Sequence, residues 1–206
     1  MREIRFINRY LGDSRALRKT LLRDIEKNDL REFSVLDVGA GSGELLRQIA
    51  EFADKGGRKA TLAGLDLNEI SASVIKRDSA EFENISTIRG DALKLPLADN
   101  SFDYAISSLF FHHLTDEQIG LALKEMSRVA RRGIFVIDLH RHPAAYALYK
   151  LFCFAFRISR LVRQDGSLSI LRGFKPGELQ HLSQVSGVGN TKVERKMPFR
   201  VVISQI

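Results

Sequence analysis

The chain has 206 residues, 44% apolar and 28% charged, which suits one domain with a substantial core and excludes a disordered or fibrous class. Its net charge of +7 is uneven: residues 1–32 carry nine basic and six acidic side chains, residues 33–140 twelve and sixteen, and residues 141–206 eleven and three. One cysteine, Cys153, excludes an internal disulfide and a cysteine metal cluster and suits a reducing cytoplasm.

In chain order, Asp13 to about Lys27 is amphipathic, with Leu17, Thr20, Leu21 and Ile25 on one helical face. Residues 33–38 read as a strand, followed by a helix from about Ser42 to Asp54 and a turn at Lys55-Gly56-Gly57-Arg58. A second strand covers 60–65 and ends at Asp66, and a helix runs from about Glu69 to Phe82. A third strand, 86–89, ends at Gly90-Asp91, and a fourth runs from Phe102 to Ser107. Thr115-Asp116-Glu117-Gln118 is a capped helix start leading to about Ala130, and a fifth strand covers 134–138. Pro143 to Val162 is very apolar but too short and too charged to span a bilayer. Arg163 to Ser167 then reads as a loop, a helix begins near Pro176, and Asn190 to Ile206 reads as a closing antiparallel hairpin split by Met197-Pro198.

Strands separated by single helices imply right-handed crossovers and a parallel sheet, with ligands bound beyond its carboxyl edge. The expected fold is a Rossmann-like, doubly wound α/β sheet of seven strands, mostly parallel, with a C-terminal antiparallel hairpin. The whole chain, 1–206, then forms one domain: an N-terminal helical lid at 1–32, a cofactor-binding core at 33–140, acceptor-pocket helices at 141–189 and the hairpin at 190–206. No long apolar run marks a secretory signal at Met1-Arg2-Glu3-Ile4-Arg5.

The chemistry concentrates in Phe33-Ser-Val-Leu-Asp-Val-Gly-Ala-Gly-Ser-Gly43. A buried strand that stops at Gly39, Gly41 and Gly43 and opens a helix brings backbone close to a ligand. Asp37 lies inside the apolar run, and a buried carboxylate there requires a partner: a cationic ligand or backbone donors. Asp66, 23 residues after Gly43, is placed to accept both hydroxyls of a ribose, in NAD as in other nucleosides. Gly90-Asp91-Ala92 is placed to read an adenine amino group.

These segments resemble, in order, the motifs of class I S-adenosylmethionine-dependent methyltransferases, in the broad group that includes the quinone-biosynthesis enzymes. Val35 to Gly43 matches the first motif, Gly64-Leu65-Asp66-Leu67 the acidic ribose motif, and Gly90-Asp91-Ala92 with Leu95-Pro96 the adenine motif. Ser101-Phe102-Asp103 with Phe111-His112-His113-Leu114 matches the fourth motif, and Glu125 to Val129 the helix before strand five. The usual Pro-Gly-Gly before that strand is Arg131-Arg132-Gly133 here. The tail is also similar to small methyltransferases that act beside type III polyketide synthases.

The resemblance implies S-adenosyl-L-methionine as cofactor. Gly39, Ala40, Gly41 and Gly43 would line its methionine portion, Asp37 would orient the loop and the amino group, Asp66 and Leu67 would hold the ribose, Asp91 and Ala92 the adenine, and Ser107 would offer an oxygen to the ammonium. His112 and His113 are the candidate general bases or acceptor ligands, with His140 and His142 as further candidates; the structural alternative is that they only pack. Five histidines without matching acidic spacing give no metal-site signal. The expected acceptor is a hydrophobic phenolic, quinone or polyketide-type molecule, with peripheral membrane contact through 143–163. Asn8-Arg9-Tyr10 would close over the cofactor. An RNA or protein methyltransferase using the basic tail, a non-catalytic cofactor-binding module and a nicotinamide dehydrogenase remain alternatives; an Asn-Pro-Pro-Tyr-like motif and a separate nucleic-acid-binding domain are absent from the sequence, which weighs against RNA.

Overall fold

A computed structural model describes residues 13–206. Residues 13–27 form helix α1, with a π-helical turn at Arg18–Leu22. Then follow β1 (Glu32–Val38), α2 (Glu44–Lys55), β2 (Lys59–Asp66), α3 (Glu69–Asp78), β3 (Ile85–Arg89), β4 (Phe102–Ser108), a 3₁₀ turn (Phe111–His113), α4 (Asp116–Val129) and β5 (Ala130–Leu139). The chain ends with α5 (Pro143–Ala155), α6 (Arg160–Arg172), α7 (Pro176–Val185), β6 (Lys192–Lys196) and β7 (Arg200–Gln205).

The seven strands form one sheet in the order β3-β2-β1-β4-β5-β7-β6. The first five are parallel, and β7 runs antiparallel to both β5 and β6. A dinucleotide fold continues with a parallel strand beyond the fifth; the antiparallel β7 departs from that order.

Both faces of the sheet are covered, so its strands are apolar on both sides. Phe33 and Val35 of β1 join Ala16, Leu17, Leu21 and Ile25 of α1 and Leu46 and Ile49 of α2 in one core cluster. Leu36 and Val38 face the other way, against Ile119, Leu123 and Met126 of α4 and Leu179 of α7. The segment 13–27 therefore buries its apolar side against the sheet, while Asn8, Arg9 and Tyr10 lie outside the described residues. A third, smaller cluster joins Leu139 to Ala145, Tyr149 and Cys153 of α5 and Ile170 of α6.

Local chemistry sets the boundaries. Thr115 and Gln118 form a reciprocal capping box at α4, and Pro176 takes the first turn of α7. Strand β5 starts four residues before the expected 134, because Ala130 pairs with Phe102. Helix α3 stops at Asp78, four residues before the expected end: the chain turns at Ser79, whose Oγ accepts from Arg47 Nη1 at 3.2 Å. The expected loop at Arg163–Ser167 is instead part of α6. Gly166, which reads as a breaker in sequence, sits where the Tyr149 ring leaves no room for a side chain, and Tyr149 Oη donates to Val162 O at 2.8 Å. Tertiary packing outweighs the roughly 1 kcal/mol that glycine costs in a helix.

Two polar devices hold the frame. Tyr104, fully buried on β4, donates its hydroxyl to Asp24 Oδ2 at 2.6 Å and so ties α1 to the sheet. Asp103, within the fourth-motif match, accepts from Ser34 N and Oγ, both at 2.9 Å, at the amino-terminal end of the strands. Arg131 and Arg132 flank Asp103 at 3.4 Å each, so the Arg-Arg-Gly departure lies at the edge opposite the glycine loop. Replacing Tyr104 with Phe leaves Asp24 without its buried donor. The expected result is a loss of about 1–3 kcal/mol of unfolding free energy with little change in urea m-value, read from a urea melt.

Candidate functional site

Register puts the ends of the parallel strands along one edge. Asp37 pairs with Gly64 and with Ile106, Asp66 with Arg89, and Ser108 with Ile137. The chain moves from β1 outward to β2 and β3, then returns to β4 on the other side of β1. The crevice between β1 and β4 is therefore the switch point of the sheet.

The loop after β1 is built on left-handed backbone. Gly39, Gly41 and Gly43 have φ of +74°, +54° and +69°. At Gly39 a Cβ would lie 2.6 Å from the Phe110 ring, whereas at Gly41 it would meet open space. Gly41 is therefore where backbone lies bare to a ligand. Gly39 N and Ala40 N both donate to Leu65 O, at 2.9 and 3.1 Å, and Gly41 N donates to Asp66 Oδ2 at 3.0 Å.

Asp66 also accepts from Asn68 N through Oδ1, at 2.9 Å. A carboxylate offers about four lone-pair sites, so both oxygens keep capacity for a ribose diol while they hold the loop. Leu67 beside it is 66% exposed. Asp91 is exposed and accepts from Leu93 N at 2.9 Å, which shapes the turn after β3. Ala92 buries its methyl in the core, leaving its backbone for any adenine contact. Ser107 is fully buried, and its hydroxyl donates to Val38 O at 2.7 Å, across β1 and β4. Its one donor is thus spent within the sheet.

Asp37 is the unresolved charge. It is buried, its Oδ1 has no hydrogen-bond partner, and burial together with nearby Asp66 pushes its pKa up to about 7. An orphaned carboxylate oxygen, bare glycine backbone and a ribose-type carboxylate on one edge fit S-adenosylmethionine, whose ammonium and sulfonium are cationic.

A second element lies next along the edge. Leaving β4, Leu109 adopts φ +52°, Phe110 covers Gly39, and Phe111–His113 turn over the end of β5. His112 is buried; its backbone N donates to Asp138 Oδ2 at 3.2 Å, and its Nδ1 lies 2.8 Å from Asp138 Oδ1. With Nδ1 protonated against the carboxylate, Nε2 is left as an acceptor. Asp138 is the penultimate residue of strand five, as Asp37 and Asp66 lie near the ends of strands one and two; it has no site role in the sequence analysis, where an acidic residue in an apolar strand at the ligand edge is the available signal.

Both histidines line an apolar cavity of about 500 Å³, walled by Leu109, Leu139, Tyr149, Phe152 and Ile170. Burial and the neighbouring His112 lower the pKa of His113, and burial and His142 lower that of His140, so both imidazoles stay neutral at pH 7. His142 caps α5, its Nδ1 accepting from Ala144 N at 3.1 Å. Arg200 reaches the cavity already paired with Asp13 in a buried ion pair. Among the described residues, no cluster of three or more His, Cys, Asp or Glu side chains could hold a metal.

Away from the cavity, the turn after β3 is clamped by α4. Glu125 Oε2 accepts from Leu95 N at 2.7 Å, and Arg128 donates to Leu97 O at 2.8 Å and to Asp99 Oδ1 at 2.6 Å. The matched helix motif thus serves to fix the turn that follows Asp91.

For Asp37 the linkage sign is the reverse of the usual carboxylate. Between its ordinary 3.8 and about 7 the folded state holds a proton that the unfolded chain releases, so stability falls as pH rises through that window. Asp37→Asn is expected to remove this slope and to stabilise the ligand-free protein at pH 8 by up to about 4 kcal/mol. Urea melts across pH check it. A wild-type slope retained in the variant refutes the assignment.

Residues 35–133 match a family model described as a methyltransferase domain. The demethylmenaquinone methyltransferase of Staphylococcus aureus (strain MRSA252) is 30% identical over 133 residues, 65% of this chain and 52% of that protein. The enzyme of the same name from Staphylococcus epidermidis is 36% identical over 115 residues, 56% of this chain and 46% of that protein. The chain thus spans about half the length of these curated relatives. Among solved structures, a SAM-dependent methyltransferase from Aquifex aeolicus superposes with a TM-score of 0.65 at 19% identity, over 94% of this chain and 89% of that one. Magnesium protoporphyrin IX methyltransferase from Synechocystis, with SAH bound, gives 0.64 at 14% identity, over 94% and 83%. Residues 35–133 thus match a methyltransferase domain, on a fold shared with S-adenosylmethionine-dependent methyltransferases.

Proposed function

We propose that the protein transfers a methyl group from S-adenosylmethionine to a hydrophobic quinol or phenol-type acceptor held in the cavity at the ends of β4 and β5. The observation that carries this reading is His112, braced by Asp138 and set in the wall of a largely apolar cavity, with the preceding Phe110 covering the glycine loop. The names of the staphylococcal relatives point to quinone-type chemistry and support the same acceptor class.

When bound, the cofactor supplies a methyl group made electrophilic by its sulfonium. Asp66 would hold the ribose, the bare backbone at Gly41 would line the methionine portion, and ionised Asp37 would receive the ammonium through its orphaned oxygen. The apolar walls exclude water and orient the acceptor, which for an activated methyl can supply much of the acceleration. His112 Nε2 takes the proton of the attacking hydroxyl or acidic carbon, and Asp138 holds the ring and stabilises the imidazolium formed. His113 stays neutral beside it, so that the acceptor's oxygen meets no fixed charge there.

His112→Gln is expected to lower kcat on a phenolic or quinol acceptor by about 10²–10⁴-fold. The affinity for S-adenosylhomocysteine should stay near wild type. Asp66→Ala should show the opposite split, with cofactor affinity reduced about tenfold or more through the lost charge-assisted bonds. Methylation followed by mass spectrometry with labelled donor, and calorimetric titration with S-adenosylhomocysteine, read the two effects. Full turnover in His112→Gln would remove the base, and unchanged titration in Asp66→Ala would remove the ribose assignment.

A further inference from the structure

Helix α5 has two apolar sides where an ordinary surface helix has one. Ala145, Tyr149 and Cys153 face inward. Leu148, Leu151 and Phe154, three residues apart, face outward and are 53%, 62% and 78% exposed. Leu161 at the start of α6 is 78% exposed, and Leu168 and Leu171 are 46% and 53% exposed. Patches of this kind on a soluble protein mark a docking surface.

The charges around the patch are of one sign. Residues 143–172 carry Lys150, Arg157, Arg160, Arg163 and Arg172, and only one acidic side chain, Asp165, which lines the cavity. Lys150 is exposed within α5, and Arg157 and Arg160 are exposed at the connection of the two helices. Leu148 belongs to both the patch and the cavity wall, so the cavity reaches the surface on this face. No helix among the described residues is long and apolar enough to cross a membrane.

We propose that the outer face of α5 and the start of α6 dock on an anionic lipid bilayer, and that the cavity exchanges its acceptor directly with that bilayer past Leu148. Outward leucines and a phenylalanine enter the acyl boundary, while the basic side chains meet lipid phosphates, the arrangement of an interfacial helix. Charge complementarity selects this occupant. A second copy of the chain docking by the same face would bring Arg157 and Arg160 against their own kind, and neutral lipid would leave the cations without a partner. The docking stands on the patch and its charges alone; the route of the acceptor rests on the function proposed above.

Flotation of the full chain with phosphatidylcholine vesicles, with and without phosphatidylglycerol, tests the docking. The protein is expected to float with the anionic vesicles and to be released as salt rises. The variant Leu151→Ser/Phe154→Ser/Leu161→Ser, none of whose positions lines the cavity, should lose vesicle affinity by about tenfold or more. Its circular dichroism and its titration with S-adenosylhomocysteine should match wild type. Absence of flotation, equal flotation of the variant, or a wild-type dimer that the variant turns into a monomer would each overturn the proposal. For the route, an alkyl-tailed phenol carried in vesicles is compared with a short-chain phenol in solution. Loss of turnover by the variant on the first alone supports exchange through the bilayer, and equal loss or no loss on both overturns it. If wild type methylates neither phenol, the acceptor reading falls, the route falls with it, and flotation still decides the docking.

Discussion

Between the ends of β1 and β2, Leu65 O accepts from both Gly39 N and Ala40 N, and the Asp66 carboxylate accepts from Gly41 N. These three bonds turn the chain out of β1 with left-handed backbone and lock it to the neighbouring strand. Everything at the ligand edge refers to that turn. It sets the start of α2, it leaves bare backbone at Gly41, and it provides the surface on which Phe110 rests. A side chain at Gly39 would meet that ring and would strain a φ of +74° as well. The loop is therefore fixed by sterics from one side and by hydrogen bonds from the other.

The same edge concentrates negative charge. Asp37 is buried with an unpartnered oxygen, and Asp66 nearby makes its ionisation still less favourable. A folded protein tolerates such a group when the group serves a ligand. Ionising Asp37 therefore costs the fold stability, and a cation placed beside the unpartnered oxygen would restore it. The acidic residues outnumber the basic ones in 33–140, in a chain of net charge +7, and the basic excess lies in the flanking segments.

Strand order, helix starts and the glycine turn were legible because they are written locally. Apolar runs end at glycine or aspartate, Thr115 and Gln118 sit three residues apart, and Pro176 opens its helix. What sequence did not disclose depends on contacts between distant residues. Gly166 lies inside α6 because Tyr149 occupies the space beside it. The pairing of His112 with Asp138 spans 26 residues, and neither residue announces the other. Ser107 resembles a free hydroxyl at a strand end, but its partner is Val38 O on the adjacent strand. Asp103 sits in a recognisable motif, yet its bonds to Ser34 at the opposite edge make it a brace for the sheet.

The connection between the two halves of the site is short and strained. Leu109 is a bulky residue at φ +52°, a conformation that costs on the order of 1–3 kcal/mol and persists only where neighbours enforce it. Its N–H is held by Ile137 O at 3.0 Å, and its side chain lines the cavity. The next residue covers the glycine loop, and the one after that buries a phenyl ring in the core, leaving His112 against Asp138. Four consecutive residues, 109 to 112, thus link the glycine loop to the His112–Asp138 pair. Because Phe110 packs on Gly39, a displacement of the loop would be felt at Phe110 and, through the chain, at His112. The glycine loop and the His112–Asp138 pair are on that account joined by a segment with little freedom to move independently of either.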